Sequence, residues 1–228
     1  MYTTKTTIEK YLGVSLDSSL DTFITLTINS VKDFIEKYCG DEKFGKRVFE
    51  APTLGEGEEE SDVVKYFDGN DEQRLYIGDL KSITSLVVDS VAQTLNEDYF
   101  LKPYNALAEG KPYDSIELAQ PDGRHGSRGK AIYVFDAVQR NVIITGKWRY
   151  SDTAPADIQL IATKLVASIL KEKVGDITLR EVKSETLDDY RVDYTDIRNQ
   201  AQTIGALDIL NQYKRKSPFK KTGIIMLD

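Results

Sequence analysis

The chain has one cysteine, one histidine and one tryptophan in 228 residues. A lone Cys39 forms no disulfide within the chain and excludes zinc sites built from cysteine clusters. A lone His125 excludes histidine-rich metal centres and leaves a single side chain of the type most used as a general base near neutral pH. No apolar run approaches the about 18 residues that a membrane-crossing helix needs, so no membrane partner is expected. Met1-Tyr2-Thr3-Thr4-Lys5 lacks the apolar stretch of a secretory leader, and none is expected. Positive charge is also short: 37 acidic residues stand against 30 basic ones, a net charge of -7. Such a chain grips nucleic acid non-specifically only where its basic residues cluster.

What is present is ordinary for a globular chain, 40% hydrophobic and 29% charged. The length suits one domain, or one with a sizeable insertion. A core of that size needs no disulfide or metal.

Asp17-Ser18-Ser19 offers a cap, and apolar residues then recur at Leu20, Phe23, Ile24, Ile28, Val31, Ile35 and Tyr38. That spacing is one helical stripe, with Gly40 at the expected stop. Lys32, Asp33, Glu36 and Lys37 read as its polar face, and a short helix is expected before it, over Thr7 to Leu12, ending at Gly13.

From about residue 45 to 150 helical periodicity gives way to short β-prone runs broken by turn residues. Expected strands are 47–51, 62–67, 74–77 stopping at Gly78-Asp79, 83–89, 98–102, 115–118 and 141–146. Their short length and close spacing point to antiparallel sheets. Helix returns at Pro155, which fits a first turn. Its faces carry Ile158, Ile161, Ala162, Leu165, Val166, Ala167, Ile169, Leu170 and Lys173, and it should stop at Gly175. Thr178 to Val182 reads as extended. A last helix is expected from Asp196 to Tyr213, with Ile197, Ala201, Ile204, Leu207, Ile209 and Leu210 inward. The fold class is therefore α+β: N-terminal helices over 1–44, a β-rich antiparallel insertion over 45–150, C-terminal helices over 151–213 completing a bundle, and an extended basic tail over 214–228.

Each candidate site has two readings. Asp122-Gly123-Arg124-His125-Gly126-Ser127-Arg128-Gly129-Lys130 is either a phosphate-cradling loop or a solvated connection; it lacks the Gly-Lys-Ser/Thr of a P-loop. No Gly-x-Ser-x-Gly surrounds any serine. Asp68-Gly69-Asn70-Asp71-Glu72 opens like a calcium loop, but Gln73 and Asp79 stand where glycine and a bidentate glutamate belong. A hairpin turn after Tyr66-Phe67 accounts for it better. Trp148 is either core at the sheet-to-helix junction or an interface anchor. No cofactor or metal is expected.

Two charge runs stand out. Residues 56–62 hold five carboxylates, among them Glu58, Glu59 and Glu60, and form either a solvated loop or a face for a basic partner. Residues 214–221 hold five positive charges: Lys214, Arg215, Lys216, Lys220 and Lys221. They form either a solubilising end or a segment that orders on a partner, with Phe219 and Ile224-Ile225-Met226-Leu227 as apolar anchors.

Several stretches, in order, resemble the head–tail connector (adaptor) proteins of tailed bacteriophages. Phe34-Ile35-Glu36-Lys37-Tyr38-Cys39-Gly40 resembles the end of that family's first helix. Tyr66-Phe67-Asp68-Gly69, Leu75-Tyr76-Ile77, Ile83 to Val88 and Asp98 to Leu101 resemble its β insertion. Val142 to Ser151 followed by Ala154-Pro155-Ala156-Asp157-Ile158 resembles its strand, turn and proline-led helix, with Arg149 where glycine often stands. Glu181 to Tyr190 resembles the segment after that helix, with Asp188 for a glycine.

The resemblance implies a structural protein of the virion neck, made in the bacterial host cytoplasm. It would form a homo-oligomeric ring of about twelve copies through heterologous interfaces. The ring would sit below the portal protein, extend the channel through which double-stranded DNA passes, and dock a downstream neck or tail protein. On this reading the portal contacts are Lys214, Arg215, Lys216, Phe219, Lys220, Lys221 and Ile224. Glu58, Glu59, Glu60, Arg124 and Arg128 are candidates for neighbouring subunits or the tail side. The rival readings are a small hydrolase using His125 and a cytoplasmic binding module.

Overall fold

A computed structural model describes residues 1–55, 58–119, 133–174 and 194–215. The chain is α+β, with helices at both ends of the sequence and antiparallel sheets between them. It divides into two compact units. The first is Met1–Glu60 with Arg149–Lys214; the second is Ser61–Trp148, with Arg215 as its last described residue.

The first unit is helical. Helix α1 spans Lys5–Leu12; the Thr4 hydroxyl accepts from the Thr7 N–H at 3.2 Å, and the helix ends on Gly13. A short 3-10 turn, Ser18–Leu20, leads into α2, Asp21–Cys39, and Asp17 accepts from the Ser19 N–H at 2.7 Å. The α2 stripe is buried at Leu20, Phe23, Ile24, Ile28, Val31 and Ile35, and Tyr38 packs against it half-buried. One expectation about α2 is corrected. Glu36 is not on a solvated face: it is buried and accepts from the Tyr2 hydroxyl at 2.8 Å. Gly40 closes the helix at the stop read from the sequence, in an extended conformation. Its missing side chain matters because a Cβ there would land on the Gly45 carbonyl oxygen.

The strand expected over 47–51 is absent. That stretch joins no sheet: the Tyr150 N–H donates to the Val48 carbonyl at 2.7 Å and the Ala51 N–H to the Asp152 carbonyl at 3.1 Å. Its apolar letters serve the helical core. Phe49 is fully buried, with ring centroids 6.1 Å from Tyr2, 5.3 Å from Tyr150 and 5.7 Å from Tyr213.

Helix α3, Ala156–Val174, buries Ile158, Ile161, Ala162, Leu165, Val166, Ala167, Ile169 and Leu170, so it is covered on most sides. Each fully buried Leu or Ile contributes roughly 1.5–3 kcal/mol. The side chain of Lys173, the stop at Gly175 and the 178–182 segment lie outside the described residues. The expected last helix is two: α4, Tyr194–Thr203, and α5, Ala206–Gln212. Gly205 divides them at φ 68, a left-handed conformation that a continuous helix cannot contain. Ile197, Ala201 and Leu210 are buried as read, and Ile204, Leu207 and Ile209 partly so.

Among the described residues the second unit holds seven strands: β1 Val63–Phe67, β2 Arg74–Leu80, β3 Ser82–Val88, β4 Val91–Gln93, β5 Tyr99–Lys102, β6 Tyr113–Leu118 and β7 Val142–Lys147. They form an antiparallel sheet of order β1-β7-β3-β4 and another of order β2-β6-β5. Leu75, Ile77 and Leu80 of β2, Leu86 and Val88 of β3, and Ile116 and Leu118 of β6 share one core with Val142 and Ile144 of β7. The β7 side chains alternate buried and half-buried, as the pleat requires.

Two strand expectations change. β2 does not stop at Gly78-Asp79 but runs on to Leu80, with its register on β6 shifting between Tyr76 and Leu80. Such a bulge lets a glycine–aspartate pair sit inside a strand. β4 was not expected at all. Asp89 and Ser90, at φ 49 and 66, make the two-residue turn into it, without the glycine that marks such turns in sequence.

Candidate interaction surfaces

The root of the basic tail is not loose. Arg215 donates from Nε and Nη2 to Asp79 Oδ2 at 3.3 and 2.6 Å. Their side chains are only 9% and 4% exposed. Asp79 lies in the part of β2 where the register on β6 shifts. Burial, and then the Arg215 charge, hold the nearby Lys65 ammonium below its ordinary value, while Asp79 works the other way. Lys214 is exposed, its ammonium 4.0 Å from the Tyr38 ring. Of the residues expected to meet a portal, Lys216, Phe219, Lys220, Lys221 and Ile224 lie outside the described residues.

The acidic run divides by role. Glu58 and Glu59 are exposed, and Glu58 Oε2 accepts from the Gly55 N–H at 2.9 Å. Glu60 turns inward and pairs with Arg149 Nη1. The same guanidinium donates from Nε and Nη2 to Asp152 Oδ1 at 3.0 and 2.6 Å. Arg149 is buried, so the position where the resemblance expects glycine here carries a cation held by two carboxylates. Arg124, Arg128 and His125 lie outside the described residues.

Trp148 is neither fully buried nor a bare surface anchor. It packs half-buried against the β core, donates from Nε1 to the Val63 carbonyl at 3.0 Å, and stacks 5.7 Å from Phe67. The Lys65 ammonium lies 4.2 Å from its ring.

The Asp68 to Glu72 stretch is not a hairpin turn, because β1 and β2 lie in different sheets. Its carboxylates tie down the loop before β7: Asp68 Oδ1 accepts from the Arg140 N–H at 2.8 Å and Asp71 Oδ1 from the Ala137 N–H at 2.7 Å. Oxygens spent on backbone N–H groups explain the calcium-like spelling without calcium. Among the described residues, no three His, Cys, Asp or Glu side chains gather as a metal site, and no helix is long and apolar enough to cross a membrane. Cys39 is buried, its thiol donating to the Leu210 carbonyl at 3.6 Å.

A second polar cluster had no signal in the sequence. The Tyr2 hydroxyl donates to Glu36 and accepts from the Phe49 N–H at 3.0 Å. Lys32 stands 3.9 Å from Glu36 and 3.1 Å from Glu50. Burial pushes the Glu36 carboxyl above its ordinary range, against the Tyr2 hydrogen bond and the Lys32 charge. Burial, then the Glu36 charge, push the Tyr2 phenol up as well.

The outer strands of the four-stranded sheet carry exposed apolar side chains. On β1, Val63, Val64 and Tyr66 are 51%, 47% and 51% exposed; on β4, Val91 is 44% exposed.

Neither a protein-family profile nor a curated protein matches the sequence. Among solved structures, a chain from the virion of a native gene transfer agent particle is similar at 12% identity and a TM-score of 0.39. The likeness covers 90% of this chain and 82% of that one. That score lies below the level at which a shared fold is established.

Proposed function

We propose that this chain is a structural protein of a phage-type virion, a connector subunit that acts by assembly and not by catalysis. It forms a ring below a portal protein, lengthens the DNA channel and gives the next neck or tail protein a docking surface. The observation that carries this reading is the order of the connector-like segments. Helix α2 closes at Cys39–Gly40, the β strands follow, and β7 runs through Lys147–Ser151 into the proline-led helix α3. The charge agrees with the role. A chain carrying a net -7 in spite of its basic end repels phosphates, so DNA can slide past without the counterion release that makes contacts sticky.

In this reading the basic end grips the portal. Because Arg215 neutralises the buried Asp79, the informative truncation removes 216–228 and keeps Arg215. Electron microscopy of the chain mixed with the portal protein encoded beside it tests the proposal. The full chain should add a ring layer, the truncated chain should not, and both should melt alike. No added layer with the full chain overturns the reading; a layer with the truncated chain overturns the role of the tail. His125→Ala should leave the layer intact.

A further inference from the structure

We infer that β1 of one copy pairs with β4 of the next, so that subunits join edge to edge through the four-stranded sheet. This rests on the ring reading above and adds its contact surfaces. β1 pairs antiparallel with β7, β7 with β3, and β3 with β4. β4 therefore runs opposite to β1. A neighbour displaced across the sheet keeps its strand direction, so its β4 arrives beside β1 antiparallel, the more stable arrangement per residue.

The registers say what meets what. Phe67 pairs with Val142, Val142 with Val88, and Val88 with Val91. This row faces the core at Val142 and Val88, yet Val91 at its end is 44% exposed. A neighbour's Val91 set beside Phe67 would continue the apolar row across the junction. One step along, Tyr66, Ile143, Val87 and Ala92 form the opposite row, exposed at both ends.

Charge agrees with a second copy as the occupant. The Arg140 guanidinium lies 4.6 Å from the Tyr66 ring, at the Phe67 end of β1. The Asp89-Ser90 turn stands at that same end of the sheet, on the β4 side. Edge pairing thus brings the Asp89 carboxylate of one copy toward the Arg140 of another. β1 also lacks the usual guards of a lone edge. It contains no proline, and its lysine, Lys65, lies half-buried over Trp148. The two edges differ, so the contact is heterologous and repeats around a ring.

Disulfide trapping in the portal-bound ring tests this. The full chain carrying both Tyr66→Cys and Ala92→Cys, or both Val64→Cys and Thr94→Cys, is oxidised and run on a denaturing gel. The expected result is a ladder of dimers, trimers and larger multiples from at least one double variant, with single variants stopping at dimers. Asp89→Arg should weaken ring formation by about tenfold or more, and adding Arg140→Glu should restore it. A ring layer without a ladder from either double variant overturns the edge contact and leaves the ring reading standing. Failure of the wild-type chain to add a layer overturns both.

Discussion

Asp79 and Arg215 lie 136 positions apart and meet at 2.6 Å with almost no solvent between them. Breaking a buried pair costs more than never having made it, because one charge is left without its counterpart. Arg215→Ala is expected to lower the stability of the chain by about 3–5 kcal/mol. Asp79→Leu with Arg215→Met should recover much of that loss, since an apolar pair leaves no charge stranded. Urea unfolding of the three variants checks both statements.

Arg149 should behave in the same way. Arg149→Ala leaves Glu60 without its buried cation and is expected to cost about 3–5 kcal/mol. Asp152→Asn should cost less, because that carboxylate is 59% exposed. A melting series that ranks Asp152→Asn above Arg149→Ala in damage would contradict this account.

Glu36 supplies a dependence on pH. Its carboxyl is raised in the folded chain, so between the ordinary carboxylate range and that raised value the folded state holds more protons than the unfolded one. Stability from this group therefore falls as pH rises through that window and is recovered as pH drops. The groups facing it are Tyr2, Lys32, Lys46 and Asp33. Glu36→Gln keeps an acceptor for the Tyr2 hydroxyl and removes the titration. The variant should show a flatter melting temperature between pH 7 and 5 than the wild-type chain.

Two glycines should fail for different reasons. Gly40→Ala drives a methyl group into the Gly45 carbonyl, backbone that has no rotamer to change, and is expected to cost about 1–3 kcal/mol. Gly205→Ala meets open space but takes a left-handed φ, at about 1–2 kcal/mol. A crystal structure of each variant would separate the cases: displaced backbone near residue 45 in the first, little change in the second.

The α2 stripe and the apolar surface of α3 were readable because burial there repeats with the helical period, and a period needs no knowledge of the partner. Glu36 occupies a polar letter on that same helix, and only Tyr2, distant in sequence, makes it a buried one. Phe49 read as strand because its neighbours are β-prone; the aromatic cluster that claims it is assembled from four separated segments. β4 spans three residues behind a turn without glycine, too little for any pattern. Gly78-Asp79 spells a turn and is instead a bulge, and what the bulge is for becomes visible only when Arg215 arrives. Charge runs were legible as runs. Which member turns inward, Glu60 or Glu59, is set by a cation 89 positions away.

Glu60 is the last residue of the helical unit before the chain leaves it, and Arg149 is the first on return. These two are joined to each other, so departure and re-entry are clasped at one point. The helical unit thus holds together, through one ion pair of its own, the two chain ends that bound residues 61–148.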